Sequence, residues 1–424
     1  MKDKGRTMSA EPILAGAPWL TAGGTARVLQ LLNADGEEAR VVGGTVRNAL
    51  LGLPPGDMDI ATTALPEEVV RRAKSAGIKC VPTGIDHGTL TLVIDGAPYE
   101  VTTLREDTET FGRKAKVAFG RDWVKDAERR DFTMNGLSVD ANGVVYDYVG
   151  GIADARARRV RFIGAPDQRI AEDYLRILRF FRIHAAFGAG APDRDGTLAC
   201  IRGRAGLATL SAERVRMEML KLLVAQGASA AALAMVDAGL LQAMIGGVAY
   251  AGPLTAMIAI EQELRLPPSA TRRLAALSVA VTEDAKRVAT RLRLSNAEAK
   301  ALDSMGHRWW RFAAMDEARA RRLLYRLGPE RYHDRVLLAW ARSGGDAKSS
   351  RWRELAGLPQ RWTAPKFPLR AADFIARGMA EGPSLGHVLT LAEDAWLAAD
   401  FPLEEAALAA IADQATARAT REKN

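Results

Sequence analysis

Apolar positions change their spacing once along this chain. Up to about residue 155 they fall in short runs that alternate with polar positions. Ala39–Val42, Asp57–Ala61, Gly88–Ile94, Tyr99–Thr103 and Leu137–Asp140 read as strands joined by Gly-containing turns. From Asp167 onward apolar residues recur at helical spacing, Ala and Arg dominate, and β-branched runs become scarce. Ser211-Ala-Glu-Arg-Val and Ser295-Asn-Ala-Glu open helices, the second with a Ser followed three residues on by Glu, the capping-box pattern. The pattern predicts an α+β protein, a mixed α/β head followed by a long helical body. Boundaries are expected near 155, 245 and 345, giving a flexible N-terminus (1–25), a head (26–155) and helical segments 156–245, 246–345 and 346–424.

Two stretches of the head carry chemistry. Val41-Val-Gly-Gly-Thr-Val-Arg47 reads as a strand that turns sharply into a helix. Gly43 and Gly44 allow close backbone approach to an anion, and Arg47 adds a forked guanidinium suited to phosphate oxygens. Asp57 and Asp59 follow, alternating along an expected strand so that both carboxylates share one face and can share a divalent metal. Glu100 supplies a third carboxylate if its strand lies beside them, and is otherwise a solvated or salt-bridged strand residue. Arg105 to Asp122 is polar and charged, and is expected to be a mobile loop near the site.

Further on, Arg129-Arg130-Asp131-Phe-Thr-Met-Asn135 interleaves polar groups with two apolar anchors. Its arginines suit phosphate contacts, while Asp131 and Asn135 suit sugar hydroxyls. Glu172-Asp173-Tyr-Leu-Arg176-Ile-Leu-Arg179-Phe-Phe-Arg182 reads as one helix, with Asp173, Arg176, Arg179 and Arg182 as successive neighbours on its surface. Leu175, Leu178 and Phe181 form its packing stripe. His333-Asp334 invites a metal-phosphohydrolase reading, but no further ligands can be assembled around it.

At 424 residues the chain is too long for one core. Its net charge of +8 favours a polyanionic partner, nucleic acid before anionic membrane. Cys80 and Cys200 lie far apart without metal-ligand spacing and are expected as unpaired thiols in a reducing cytoplasm. No apolar run is long enough to span a bilayer.

Taken in order, these motifs resemble the class II tRNA nucleotidyltransferases and bacterial poly(A) polymerases of the polymerase β superfamily. The resemblance rests on Gly43-Gly44-x-Val-Arg47, Asp57-x-Asp59, Arg129-Arg130-Asp131-Phe132-Thr133-x-Asn135, Asp147-Tyr-Val-Gly150-Gly151-Ile-Ala-Asp154, Glu172-Asp173-x-x-Arg176 and Ser211-x-Glu213-Arg214 with Glu218 and Lys221. Asn48, Gly136 and Tyr148 depart from the family's usual Asp, Ala and Pro. Thr83-Gly84-Ile-Asp-His87-Gly88-Thr89 and the presence of the 105–122 segment are as in members that add a full CCA.

The resemblance implies a polymerase β-like head, then a helical neck, body and tail. It implies a cytoplasmic enzyme that builds CCA on tRNA from CTP and ATP, with poly(A) synthesis or partial CC or A addition as alternatives. Asp57 and Asp59, with Glu100, would hold Mg²⁺. Gly43, Gly44 and Arg47 would hold phosphates, and Arg130, Asp131 and Asn135 the ribose. Asp173 and Arg176 would read the base, with Arg179 and Arg182 alongside, and Asp147–Asp154 would be the head-to-neck hinge. Arg272-Arg273, Arg291, Arg293 and Arg319-x-Arg321-Arg322 would meet the tRNA backbone.

Overall fold

A computed structural model describes residues 9–11, 13–84, 88–111 and 114–422. His87, and with it part of the 83–92 motif, lies outside them. The strands are β1 (Ser9–Glu11), β2 (Ala39–Val42), β3 (Asp59–Thr62), β4 (Lys79–Gly84), β5 (Thr89–Ile94), β6 (Ala97–Thr103), β7 (Arg105–Phe111), β8 (Lys114–Phe119), β9 (Leu137–Val139) and β10 (Val145–Asp147). Eight of them form one sheet in the order β1-β10-β9-β2-β3-β6-β5-β4. Every pairing in it is antiparallel except β3 with β6, so the sheet is mixed. Beyond residue 148 the described chain is helical, and the α+β architecture expected from the pattern is the one found.

Val28 and Leu29 from helix Gly23–Leu32, Val46 from helix Gly44–Leu50 and Val69 from helix Pro66–Ser75 pack with Val41, Ile60, Leu92, Val101 and Val139 of the sheet. Burying these side chains, at roughly 25 cal/mol per Å² of apolar surface, fixes the register of β2 and β3. The strands that the pattern missed are short or interrupted. β10 has three residues, and edge strand β4 contains Pro82, which cannot donate to a ladder. Residues 105–119 differ from expectation. They pair as a two-stranded hairpin, β7 with β8, rather than forming a loop. Charged and β-branched residues alternate over Asp107-Thr-Glu-Thr110, a strand periodicity that the segment's polarity disguised.

The chain divides into two compact units, Met1–Ala249 with Arg291–Arg293, and Tyr250–Thr290 with Leu294–Asn424. In the second, Trp396 packs with Tyr325, Phe367 and Phe401, and the capping box at Ser295 and Glu298 is formed as the sequence predicts. His333 Nδ1 is paired with the Ala356 carbonyl, and among the described residues no cluster of three or more His, Cys, Asp or Glu could hold a metal ion. Among them, too, no helix is long and apolar enough to cross a membrane.

The sheet of the first unit ends at a tightly bonded junction. Asp147 Oδ1 accepts from the amides of Val149, Gly150 and Gly151 at 2.8–3.0 Å, and Oδ2 accepts from Ile152 at 2.9 Å. Gly150 is left-handed (φ 80°), and a Cβ on Gly151 would lie 2.2 Å from the Thr133 carbonyl oxygen. Asp154, fully buried, accepts from Thr133 Oγ1 at 2.6 Å and from Arg159 and Arg161 at 2.8 Å. Asp147→Ala strips four amides of their acceptor. It is expected to destabilise the chain by about 3 kcal/mol or more, read from the denaturant midpoint. A loss under about 1 kcal/mol would show that the amides find other partners.

Candidate active site

Gly43 ends β2 with φ 73° and ψ −125°, a conformation that glycine reaches without strain, and its carbonyl accepts the first bond of helix Gly44–Leu50. A Cβ on Gly43 would meet Arg130 Nη1 at 3.2 Å, so this turn is pressed against the arginine motif. Thr45 Oγ1 donates to the Asp57 carbonyl at 2.7 Å, which ties the helix to the acidic segment. Arg47 is buried. Its Nη1 donates to Asn135 Oδ1 at 2.6 Å, its Nη2 to Asn48 Oδ1 at 2.8 Å, and its guanidinium lies 3.6 Å over the Phe187 ring. Burial first, then the nearby Arg182 and Arg179, push its pKa down to about 10 against the pull of Asp131, so it stays a cation at neutral pH. Asn48, where the family usually has Asp, is thus the neutral acceptor for a cation that already has Asp131 close by.

The acidic pair differs from expectation in one respect. β3 begins at Asp59, and Asp57 precedes it in a bend instead of alternating along the strand. Glu100 stands opposite Asp59 across the parallel β3–β6 pairing, and its amide donates to the Met58 carbonyl at 3.3 Å. The condition set for a third carboxylate, a neighbouring strand, is therefore met. Although Asp59 is exposed as a residue, its carboxyl is pushed up to about 6, first by desolvation and then by Glu100 and Asp57, with Arg130 opposing. Like charges converge where the central strands β3 and β6 pair. That donor set suits a hard cation that takes one or two carboxylates and completes its shell with water and substrate phosphate, because no cage of three is present among the described residues.

The arginine motif is organised by carboxylates. Asp126, buried, accepts from Arg129 Nε at 2.8 Å and from Arg130 Nη2 at 2.9 Å. Asp131 Oδ1 accepts from the Phe132 amide at 2.9 Å and Asn135 Nδ2 at 3.1 Å, while Oδ2 accepts from Arg179 Nε at 2.7 Å. Both ends of the Asn135 amide are therefore engaged, with Arg47 and with Asp131. Arg169 Nη2 donates to the carbonyls of Arg129 and Arg130.

The segment expected to be one helix is two, Pro166–Glu172 and Leu175–Phe187. Asp173 sits in the break, with extended backbone at φ −155° and ψ 109°. It is not a helical neighbour of Arg176. Its Oδ1 accepts from the Leu175 amide at 3.1 Å, and its Oδ2 from Arg214 Nη2 at 2.6 Å. Arg176 Nη1 donates to the Arg169 carbonyl at 2.6 Å and to Glu172 at 2.5 Å. Leu175, Leu178 and Phe181 are buried as the stripe predicts. Arg182 Nε donates to Glu218 of helix Ala212–Leu223, with Arg179 Nη1 at 3.9 Å from the same carboxylate.

A cavity of about 510 Å³ gathers Gly43, Gly44, Arg47, Asp59, Arg130, Asp131, Asn135, Asp173, Arg176, Arg179 and Arg182, with Leu175, Ile183, Phe187 and Arg214. Asp57 and Glu100 are not in its lining. Six guanidiniums face three carboxylates, so the wall favours a polyanion. Asp126, Arg169 and Phe187 escaped the sequence reading. Asp126 had a legible signal, three and four residues before Arg129 and Arg130, whereas the Phe187 contact with Arg47 spans 140 positions and had none.

Fold and cavity together define a nucleotidyltransferase of the poly(A) polymerase type. Residues 39–161 match the poly A polymerase head domain, and residues 197–251 match the probable RNA and SrmB-binding site of polymerase A. The chain is 34% identical over 366 residues to the mitochondrial CCA tRNA nucleotidyltransferase 1 of Danio rerio, spanning 85% of this chain and 83% of that one. It is 33% identical over 392 residues to the enzyme of the same name from Mus musculus, spanning 90% and 88%. The solved CCA-adding enzyme of Bacillus stearothermophilus in complex with CTP superposes with a TM-score of 0.72 at 28% identity, over 94% of this chain and 98% of that one. The chain belongs to the CCA tRNA nucleotidyltransferase family. Enzymes of this class depend on a divalent metal.

Burial alone would raise the Asp131 carboxyl, but Arg179, Asn135 and the Phe132 amide outweigh it and hold it below the usual carboxylate range. A group depressed in the folded state adds stability above its unfolded pKa, about 4, and that stability is lost as pH falls through the folded value. Asp131→Asn should therefore cost about 3 kcal/mol at pH 7, as breaking a buried pair does, and progressively less below pH ~4. Denaturation midpoints at the two ends of this range check it, and an equal loss at both would refute the charge argument.

Proposed function

We propose that this chain adds C, C and A to the 3′ end of tRNA from CTP and ATP, without a nucleic-acid template and with release of pyrophosphate. The observation that carries the reading is the shared cavity, in which the glycine turn, Asp59, the arginine motif and the Asp173–Arg182 face line one space of nucleotide size. Gly43, Gly44 and Arg47 hold the outer phosphates. Arg130, Asp131 and Asn135 orient the ribose, and Arg179 and Arg182 carry positive charge between ribose and base. Asp57 and Asp59, with Glu100 in support, would hold Mg²⁺, which would supply Lewis acidity for the RNA 3′-hydroxyl and positive charge for the pyrophosphate. A reducing compartment such as the cytoplasm suits the free thiols Cys80 and Cys200.

Base choice follows from hydrogen-bond polarity. Cytosine and adenine each present an exocyclic amino donor beside an unprotonated ring nitrogen. Uracil and guanine present a carbonyl oxygen beside a ring N–H. The Asp173 carboxylate accepts and the Arg176 guanidinium donates, which matches the first pair and mismatches the second. One such bidentate contact discriminates by roughly 1–3 kcal/mol.

Purified protein, Mg²⁺ and a tRNA lacking its last three nucleotides should give products three nucleotides longer with CTP and ATP, and no further growth. Open-ended growth with ATP alone would make it a poly(A) polymerase, and a stop after CC, or a need for a CC end, a partial adder. Asp59→Ala is expected to lower incorporation by more than ~100-fold, beyond what disturbing an outer-shell group at a metal site costs. Arg176→Ala should erase most of the preference for CTP and ATP over UTP, and full retention of that preference would remove Arg176 from the reader.

A further inference from the structure

The two halves of the base reader are supported from different places. Arg176 is held from its own segment, by Glu172 and the Arg169 carbonyl. Asp173 lies in the break between two helices, where no helical neighbour sets its side chain. One of its oxygens is taken by the Leu175 amide. What aims the other is Arg214, which reaches it at 2.6 Å from helix Ala212–Leu223 and itself lines the cavity.

That helix has its own anchor. Glu218, one turn beyond Arg214 and buried, takes Arg182 and lies 3.9 Å from Arg179. The helix therefore presents a cation and an anion four residues apart on one face, each against the opposite charge from residues 173–182. Glu218 fixes where the helix sits, and Arg214 transmits that position to Asp173.

We propose that Arg214 is a positioning residue for nucleotide selection, holding the Asp173 carboxylate in the one orientation that accepts the exocyclic amino group of cytosine or adenine. The proposal rests on Asp173 and Arg176 as the base reader. The carboxylate oxygen bonded to Arg214 keeps a second lone pair, so it can hold the arginine and accept from a base together. Without Arg214, Asp173 is tied only to the Leu175 amide. Its free oxygen can then swing, and it meets correct and incorrect bases with little difference. The planar guanidinium, through its Nη2 contact with Asp173 Oδ2, restricts orientation as well as supplying charge.

The test compares kcat/KM for CTP, UTP, ATP and GTP on trimmed tRNA for the wild type, Arg214→Ala, Arg214→Lys and Arg176→Ala, with melting temperature followed alongside. Arg214→Ala should reduce the CTP:UTP and ATP:GTP ratios by ~10-fold or more, the scale of one lost bidentate contact. Arg214→Lys, which keeps charge without the fork, should fall between it and the wild type. A uniform fall for all four nucleotides would overturn the proposal, since it is the signature of a phosphate contact. Unchanged ratios would overturn it too. If Arg214→Ala does not fold, the Lys variant and Arg214→Gln decide by the same ratios. The control separates the two readings. If Arg176→Ala leaves the ratios intact, the reader assignment itself fails. If Arg176→Ala collapses them and Arg214→Ala does not, only the role of Arg214 fails.

Discussion

Asp131 is a carboxylate taken almost wholly out of water, and it survives there because four donors converge on it. The Phe132 amide and Asn135 Nδ2 meet one oxygen, and Nε and Nη2 of Arg179 meet the other. Asn135 then passes the constraint to Arg47, which stacks on Phe187. In this way one ionised group locks together the glycine-turn helix, the arginine motif and helix Leu175–Phe187. Removing any member leaves a buried charge or amide without its partner, which costs more than the bond itself is worth. The cavity exists because this network holds its walls at fixed separation. Asp126 does the same for Arg129 and Arg130, so the cations aimed at the substrate are themselves pinned by anions behind them.

Much of this was legible in the sequence, for identifiable reasons. β5 and β6 emerge from period-two alternation because one face is buried, β2 and β9 are short strands buried on both faces, and the helical half emerges from its 3.6-residue period. The chemistry-bearing residues stand out because glycine pairs, alternating aspartates and interleaved arginines have few structural uses at such spacing. Three things were not legible. The helix break at Asp173 has no proline or glycine to announce it, and the segment's apolar stripe runs straight through. The Arg105–Phe119 hairpin is strand-forming yet too charged to look so. Long-range pairings such as Arg214 with Asp173, 41 positions apart, leave no local trace in one sequence.

At the opposite wall the electrostatics reverse. Asp59 lines the cavity there with a carboxyl raised to about 6, first by desolvation and then by Glu100 and Asp57, which lie outside the lining. The cations of the cavity are spent on Asp126, Asp131, Asp173, Glu172 and Glu218, while Arg47 is held by the neutral amides of Asn135 and Asn48. A triphosphate entering between the two walls therefore meets donors on one side and, on the other, carboxylates that repel it unless a divalent cation lies between. Metal and nucleotide binding are accordingly linked through charge: each supplies what the other needs to occupy this space.

The exposure of the anchoring carboxylates is graded along the cavity. Asp126, Asp131 and Glu218 are 4%, 9% and 3% exposed, whereas Glu172 and Asp173, which the proposed base reader rests on, are 20% and 29% exposed. A buried pair resists exchange of partners because its members cannot be rehydrated on the way. A partly solvated pair is worth only about 0–1 kcal/mol, within reach of a single ligand hydrogen bond. On the proposed assignment, the ribose and phosphate end is thus rigid, and the base end, where Arg214 keeps the Asp173 carboxylate in one orientation, shifts as a unit. Cytosine and adenine share the same donor and acceptor pattern but differ by a whole ring in width, so a reader that accepts both has to shift while its polarity stays fixed. Grading the solvation of its anchors provides that combination without a second binding site.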